Sequence, residues 1–413
     1  MDMRNSATSR GLGQKAKLGL AVAVPAVLAI IGVGLLHERR AQAASPFDLP
    51  KAQMPIPPAN GVIGYVITSF APGFIEGDQQ CPQGLAKNLK QNYLSTLAPT
   101  ERERLLLKAN EVELEKKWKS FAIGPNGTNI CSNAETFDQT GRPSAVMLQS
   151  KIAPGLNLDG DATGAGSADT CAHENFTGTK GEQGVDNQGY RALGCTINYR
   201  NVDGKPGDLL VYLNKKLADG EHTMVLQLGG VQSFVNDDDV SVLLASSEDL
   251  PYTDSGMNIL TGASFTVSQN PRFRNELHGR IVNGVLITDP TDIHLSQKWG
   301  QGGARGKRAE YDIRKARLRV AFLPDGSIDG VVGGYQPIRS LIQGEILGGP
   351  GAATVAGLDC VAEYKTLQAA ADGIKDPATG KCTGASTANM IKGIPAFVFD
   401  RAPGQRAKSV AAR

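Results

Sequence analysis

Arg280-Ile281-Val282-Asn283-Gly284-Val285-Leu286-Ile287 is the stretch from which the fold is read. Two runs of branched apolar residues flank Asn-Gly, the pair that most readily takes positive φ at both central positions of a two-residue hairpin turn. Outward from this hairpin the same period of two recurs. Met224, Leu226 and Leu228 alternate with Thr223, Val225 and Gln227, and Val240, Val242 and Leu244 repeat the pattern. Leu318, Val320 and Phe322 alternate with Arg317, Arg319 and Ala321, and Pro324-Asp325-Gly326 then starts a second hairpin. Residues two apart share one face of a strand, so each run offers an apolar face to a common core. From about Gly207 onward the pattern predicts a mainly β chain, with an antiparallel β-sandwich or jelly-roll-like domain over 205–335.

The flanking segments differ in kind. Residues 61–150 read as a small mixed α+β region. Its clearest element is one helix between Pro99 and Phe121, capped by Thr100 with Glu103 as capping-box partner. Glu113/Lys117 and Glu115/Lys119 are i,i+4 pairs, and Leu107, Leu114 and Trp118 mark the buried stripe. Residues 151–204 form a Gly- and Asp-rich loop region with little periodicity. Residues 336–399 read as a C-terminal α/loop region with one helix near Val361–Ala371, and 400–413 as a basic tail. A spacer with five prolines, stiff and extended, occupies 44–60.

At the start, Arg4, Arg10, Lys15 and Lys17 precede an uncharged apolar run from Leu18 to Leu36, followed by Ala41-Gln42-Ala43-Ala44. A basic start, an apolar stretch and a small-x-small site describe an export leader over 1–43, cleaved after Ala43 or retained as an anchor in the inner membrane. The expected location is periplasmic or extracellular, with the membrane met only through this segment. Of 413 residues 43 are basic and 41 acidic, but leader and tail hold ten of the basic ones; the rest is 33 against 38. That balance exerts no overall pull on nucleic acid. Export also argues against ATP- and NAD-dependent chemistry.

Export changes how the cysteines read. Cys81, Cys131, Cys171, Cys195, Cys360 and Cys382 are even in number, follow the leader and contain no C-x-x-C. Six cysteines allow fifteen pairings. Sequence order suggests Cys81–Cys131, Cys171–Cys195 and Cys360–Cys382, each closing a short loop worth on the order of 3 kcal/mol.

Asn157-Leu-Asp159-Gly-Asp161-Ala-Thr163-Gly-Ala-Gly-Ser167-Ala-Asp169 places an oxygen-bearing side chain at every second position except Ala165, as a loop wrapping a hard cation requires. Ala162 and Ala168 stand where an EF-hand needs its glycine and its bidentate glutamate, so a calcium site here is irregular. Its expected ligands are Asn157, Asp159, Asp161, Asp169 and Asp186; Asx-turns without metal are the plainer alternative. Cys171-Ala172-His173-Glu174 sets an imidazole beside a carboxylate, which makes His173, Glu174 and Asp186 the candidates for catalysis. There is no G-x-S-x-G elbow, H-E-x-x-H helix or complete P-loop. The basic stretch from Arg305 to Arg319 suits an anionic polysaccharide, a lipid headgroup or an acidic protein. On the alternating strand, however, Arg317 and Arg319 are expected simply to occupy the solvent face.

The series Asp159-Gly160-Asp161, Cys171-x-His173-x-x-Phe176 and Gly184-Val185-Asp186-Asn187-Gln188, with Asp376-Pro377-x-x-Gly380-x-Cys382 and Ile394-Pro395-Ala396-Phe397, resembles a group of uncharacterised exported proteobacterial proteins. The resemblance spans most of 150–399. It implies an exported, disulfide-bonded, β-rich chain and brings no catalytic residue with it. The expectation is a non-enzymatic envelope protein with a calcium-ordered loop, meeting an envelope protein or a glycan. The alternative is an extracytoplasmic hydrolase or metal-dependent enzyme assembled from dispersed loops.

Overall fold

A computed structural model describes residues 56–124, 127–137, 141–298, 308–345, 353–354 and 356–400. The leader, most of the proline spacer, the first part of the basic stretch and all but Asp400 of the tail lie outside the described residues. Twelve strands are described: β1 (Ile63–Pro72), β2 (Met224–Gly229), β3 (Asn236–Ser246), β4 (Ser264–Thr266), β5 (Arg274–Val282) and β6 (Val285–Thr288), then β7 (Thr291–Lys298), β8 (Arg308–Phe322), β9 (Ile328–Pro337), β10 (Gly373–Lys375), β11 (Cys382–Pro395) and β12 (Phe397–Phe399). The helices are α1 (Leu89–Ser95), α2 (Pro99–Leu106), α3 (Glu111–Phe121), α4 (Gln188–Leu193), α5 (Asp208–Ala218), α6 (Ile338–Glu345) and α7 (Cys360–Ala369).

The chain is mainly β, with a ten-stranded antiparallel sheet. The sheet closes on itself. Strand β1 pairs with β2 along one edge and with β11 along the other, so Tyr65 stands opposite Leu226 on one side and Pro395 on the other. The ring runs β1-β2-β3-β5-β6-β8-β9-β11 and back, an eight-stave barrel with β7 and β10 added to its flanks. Closure leaves those eight strands without the open edges that two stacked sheets would keep. Two staves, β1 and β11, come from outside the expected 205–335.

The central hairpin forms as expected. Asn283 and Gly284 have φ of 51° and 83°, and Val282 pairs with Val285. The alternating runs then fill the barrel: Met224, Leu226, Leu228, Val242, Leu244, Leu318, Val320 and Phe322 share one buried cluster. Strand β1 contributes Tyr65, Ile67 and Phe70, a spacing that changes from two to three because the register shifts between Ile67 and Ser69. At this bulge the Phe70 N–H donates to the Asn214 side chain of α5 at 3.2 Å, which satisfies a group the ladder has released.

Several expectations are corrected. Asp208–Ala218 is a helix, not the start of the period-two region: Leu209, Leu213 and Leu217 recur at steps of four and bury one side. The single helix from Pro99 to Phe121 is two. Its cap position is Ala98 with Pro99 at N1, and Leu107 adopts extended ψ between the two helices and is 60% exposed. Leu105 takes the buried place expected for Leu107. The break lets Arg104 bond both Glu101 of α2 and Glu113 of α3, at 2.7 and 2.6 Å. The 336–399 segment, read as helix and loop, contains the fourteen-residue strand β11.

Outside the barrel lies a second layer with its own core, built from α1, α3, α4, α7 and the loops between them. Here the disulfide expectation fails. The pairs are Cys81–Cys195, Cys131–Cys360 and Cys171–Cys382, separated by 114, 229 and 211 residues. The layer is woven from segments distant in sequence, so neighbours in space are not neighbours along the chain. Arg200, 1% exposed, ties the weave with bonds to the carbonyls of Ile75, Gly77, Gly194 and Gly204.

Candidate buried His–Asp centre

Loop 154–186 crosses the outer face of β9 and β11, where small residues leave room for its side chains. Leu156 and Leu158 lie 3.1–3.3 Å from the position a Cβ would take at Gly333. The arginines expected to face solvent on β8 instead hold this loop. Arg317 donates to the Asn157 carbonyl at 3.3 Å and Arg319 pairs with Glu182 at 3.5 Å. Beside them Lys315 pairs with Asp169 at 2.7 Å. Lys315, Arg317 and Arg319 of the basic stretch therefore meet the acidic loop of their own chain.

The loop is shaped by side-chain-to-backbone bonds. Asn157 accepts from Gly160 N at 2.6 Å, Asp159 from Asp161 N at 2.8 Å, and Asp161 from Thr163 N at 2.7 Å and Gly166 N at 3.1 Å. These are Asx-turns, each satisfying a backbone donor without secondary structure. Gly164, at φ 77°, is required: a Cβ there would stand 2.1 Å from the His173 carbonyl oxygen. The turns bring His173 back under the loop, beside Asp159 and Asp186.

His173 Nε2 lies 2.7 Å from Asp186 Oδ1 and 3.9 Å from Asp372 Oδ2. Its Nδ1 lies 2.9 Å from the Cys171 carbonyl, which can only accept. Nδ1 therefore carries a hydrogen, and Nε2 is the nitrogen turned toward the carboxylates. Asp186 is fully buried, and its other oxygen accepts from Leu158 N at 2.6 Å. Thr170 Oγ1 donates to Asp159 Oδ2 at 3.2 Å. One ligand atom each from Asp159, His173 and Asp186 lies within 4.8 Å of the others.

Two residues with no sequence signal complete the centre. Asp372, between α7 and β10, is 0% exposed. One of its oxygens accepts from Ser386 N at 2.7 Å; the other, Oδ2, has no hydrogen-bond partner. The hydroxyl of Tyr335 on β9 is buried and also lacks one. Burial and the neighbouring Asp186 charge push the Asp372 carboxyl up to about 6. Burial alone would lower His173, but the Asp186 bond, the Cys171 carbonyl and Asp372 outweigh it and hold the imidazole at about 9. Burial, and then the charges of Asp186, Asp372 and Asp159, push the Tyr335 hydroxyl far up. The ring is thus an imidazolium, its side chain 5% exposed, among three carboxylates.

The other expected site residues lie apart. Asn157 and Asp161 use side-chain oxygens in the turns described above, and Asp169 is an exposed partner of Lys315. Glu174 points outward to Lys151 and Arg191. A second cluster, His294 with Glu310 and Asp312, already has guanidinium partners: Arg272 sits on Glu310 at 2.5 Å and Arg314 on Asp312 at 2.6 Å. A cavity of about 350 Å³ adjoins the centre. Thr170, Tyr335, Lys315, Ile374 and Lys375 are among the residues that line it. No family model matches the chain, and neither does any curated protein or solved structure.

Proposed function

We propose that the chain is an exported, non-enzymatic protein of the cell envelope in which a divalent cation at Asp159, His173 and Asp186 locks the loop layer onto the barrel. One observation carries this reading: a buried imidazole is ringed by carboxylates, and one of them keeps an unpartnered oxygen. Folded proteins rarely leave a buried carboxylate oxygen unsatisfied. A cation would satisfy it and would join the loop to the segment that follows α7. Three disulfides support an oxidising compartment, and the basic-apolar-small order of the leader supports export. Among the described residues no helix is long and apolar enough to cross a membrane.

The test is chelation. Protein purified from its native host should melt lower after EDTA treatment and be cut faster between residues 155 and 190. Superimposable melting curves and digests, before and after chelation, would refute the reading. The second reading, a metal-dependent hydrolase, is favoured by the 350 Å³ cavity against Thr170 and Tyr335, which would give a substrate access to the centre. Turnover of an ester, phosphoester or glycoside panel that is abolished by Asp372→Asn without loss of fold would establish it.

A further inference from the structure

We infer that the cation held by Asp159, His173 and Asp186 is of the zinc class, a borderline ion that accepts imidazole nitrogen, and not calcium. The inference rests on the cation-site reading above and names its ligand. Calcium takes six to eight oxygens in a loose shell and makes little use of nitrogen. Asp161, which a calcium loop would recruit, lies outside the cluster of ligand atoms and turns its oxygens to the N–H groups of Thr163 and Gly166. What converges instead is a small mixed set, one imidazole nitrogen with two carboxylates, inside 4.8 Å. Nitrogen and carboxylate donors in a three- or four-ligand site suit zinc and its neighbours in the first transition row.

The orientation of the ring adds an independent argument. Histidines that ligate metals usually donate their second ring N–H to a carbonyl or carboxylate, which fixes the tautomer and aims the free nitrogen. His173 is held this way: Nδ1 faces the Cys171 carbonyl at 2.9 Å, and Nε2 faces Asp186. Cys171 itself is pinned by its disulfide to Cys382. The ion enters in place of the Nε2 proton. Asp372 Oδ2, buried, unpartnered and 3.9 Å from Nε2, then stands beside the site as a fourth donor or an outer carboxylate. The charge suits a dication, because three carboxylates, Asp159, Asp186 and Asp372, converge on the single imidazole of His173.

The experiment uses the full chain stripped with EDTA and returned to chelator-free buffer, titrated calorimetrically with Zn²⁺ and, separately, Ca²⁺. One zinc per chain should bind with sub-micromolar affinity, and millimolar calcium should not displace it. His173→Gln should weaken zinc at least 100-fold, and Asp372→Asn about tenfold, in the range of outer-shell losses. Asp159→Asn provides a second variant should His173→Gln fold poorly; it too should weaken zinc. Cobalt in place of zinc should give visible absorption that disappears in both variants. Equal affinity for zinc and calcium, or zinc binding unchanged in His173→Gln and Asp159→Asn, overturns the inference while leaving a cation site standing. Failure of both ions to bind overturns the inference and the cation-site reading together.

Discussion

The barrel and the layer wrapped around it obey different physics. In the barrel each stave alternates, and its buried face is apolar: Leu226, Leu244, Leu318 and Val320 are at or near zero exposure and touch one another across the interior. Removing such surface from water stabilises at roughly 25 cal/mol per Å², and the closed ladder satisfies the backbone. The outer layer has short helices, long loops and a core that depends on two buried disulfides. Its backbone is satisfied by Asx-turns, by Arg200 and by a buried charged centre. The contrast shows where order is cheap in sequence and where it needs crosslinks and specific polar partners.

The largest effect should come from reduction. Bridges closing loops of 114, 229 and 211 residues are worth about 5 kcal/mol each in the chain-entropy treatment, more than the short loops of a sequence-order pairing would give. With all three reduced, amides of α4 and α7 should exchange quickly while those of β2, β3 and β8 stay protected. Hydrogen exchange read by mass spectrometry separates the two. If barrel and layer lose protection together, they are one cooperative unit and the distinction collapses.

A pair of substitutions sharpens the comparison at the next level. Asp186→Ala should cost about 3–5 kcal/mol, because it leaves the His173 charge and the Leu158 N–H buried without their acceptor. Leu318→Ala should cost about 2–5 kcal/mol through the cavity it opens among the barrel side chains. The totals are similar but the locations are not. Limited proteolysis should find new cleavage within 155–190 for Asp186→Ala, and none there for Leu318→Ala at matched denaturant. The reverse pattern would mean that the loop draws its stability from the barrel alone.

The same division explains what could be read in advance. Asn283-Gly284 and the alternating runs announce hairpins because period and turn chemistry are local properties. Strand β11 escapes notice because Cys382-Thr-Gly-Ala-Ser-Thr-Ala-Asn389 is small and polar, shaped to let the loop layer close upon it, with no alternation to detect. Asp208–Ala218 was masked by the strands around it, although its leucines recur at helical steps. In the site, Asp159, His173 and Asp186 stand out as an acidic loop with a histidine. Asp372 and Tyr335 do not, since only the docking of the loop against β9, β10 and β11 brings them to His173. Disulfide pairing is of the same kind: with six cysteines nothing local distinguishes Cys131–Cys360 from its alternatives.

The smallest effect, and the most discriminating, is electrostatic. In metal-free protein the Asp372 carboxyl is raised from 3.8 to about 6, so the folded state holds this proton more tightly than the unfolded chain. The stability it contributes is full below pH 4 and is lost as pH rises to about 6. His173, raised from 6.5 to about 9, acts in the same sense: its contribution is full below 6.5 and is lost as pH rises through 9. Surface carboxylates such as Glu101 and Glu113, held at about 2 by Arg104, act oppositely and lose their contribution on acidification. A difference measurement isolates the centre from that background. Asp372→Asn should match the wild type at pH 4 in urea unfolding with EDTA present, and exceed it by roughly 1–3 kcal/mol at pH 7, the worth of about two pKa units at a buried site. A variant that is less stable than wild type at pH 7 would mean that Asp372, even without metal, has a partner that stabilises its charge. The centre would then be an ion-pair lattice like the one at His294, Glu310 and Asp312, and the outer layer would lose its one claim to a site of its own.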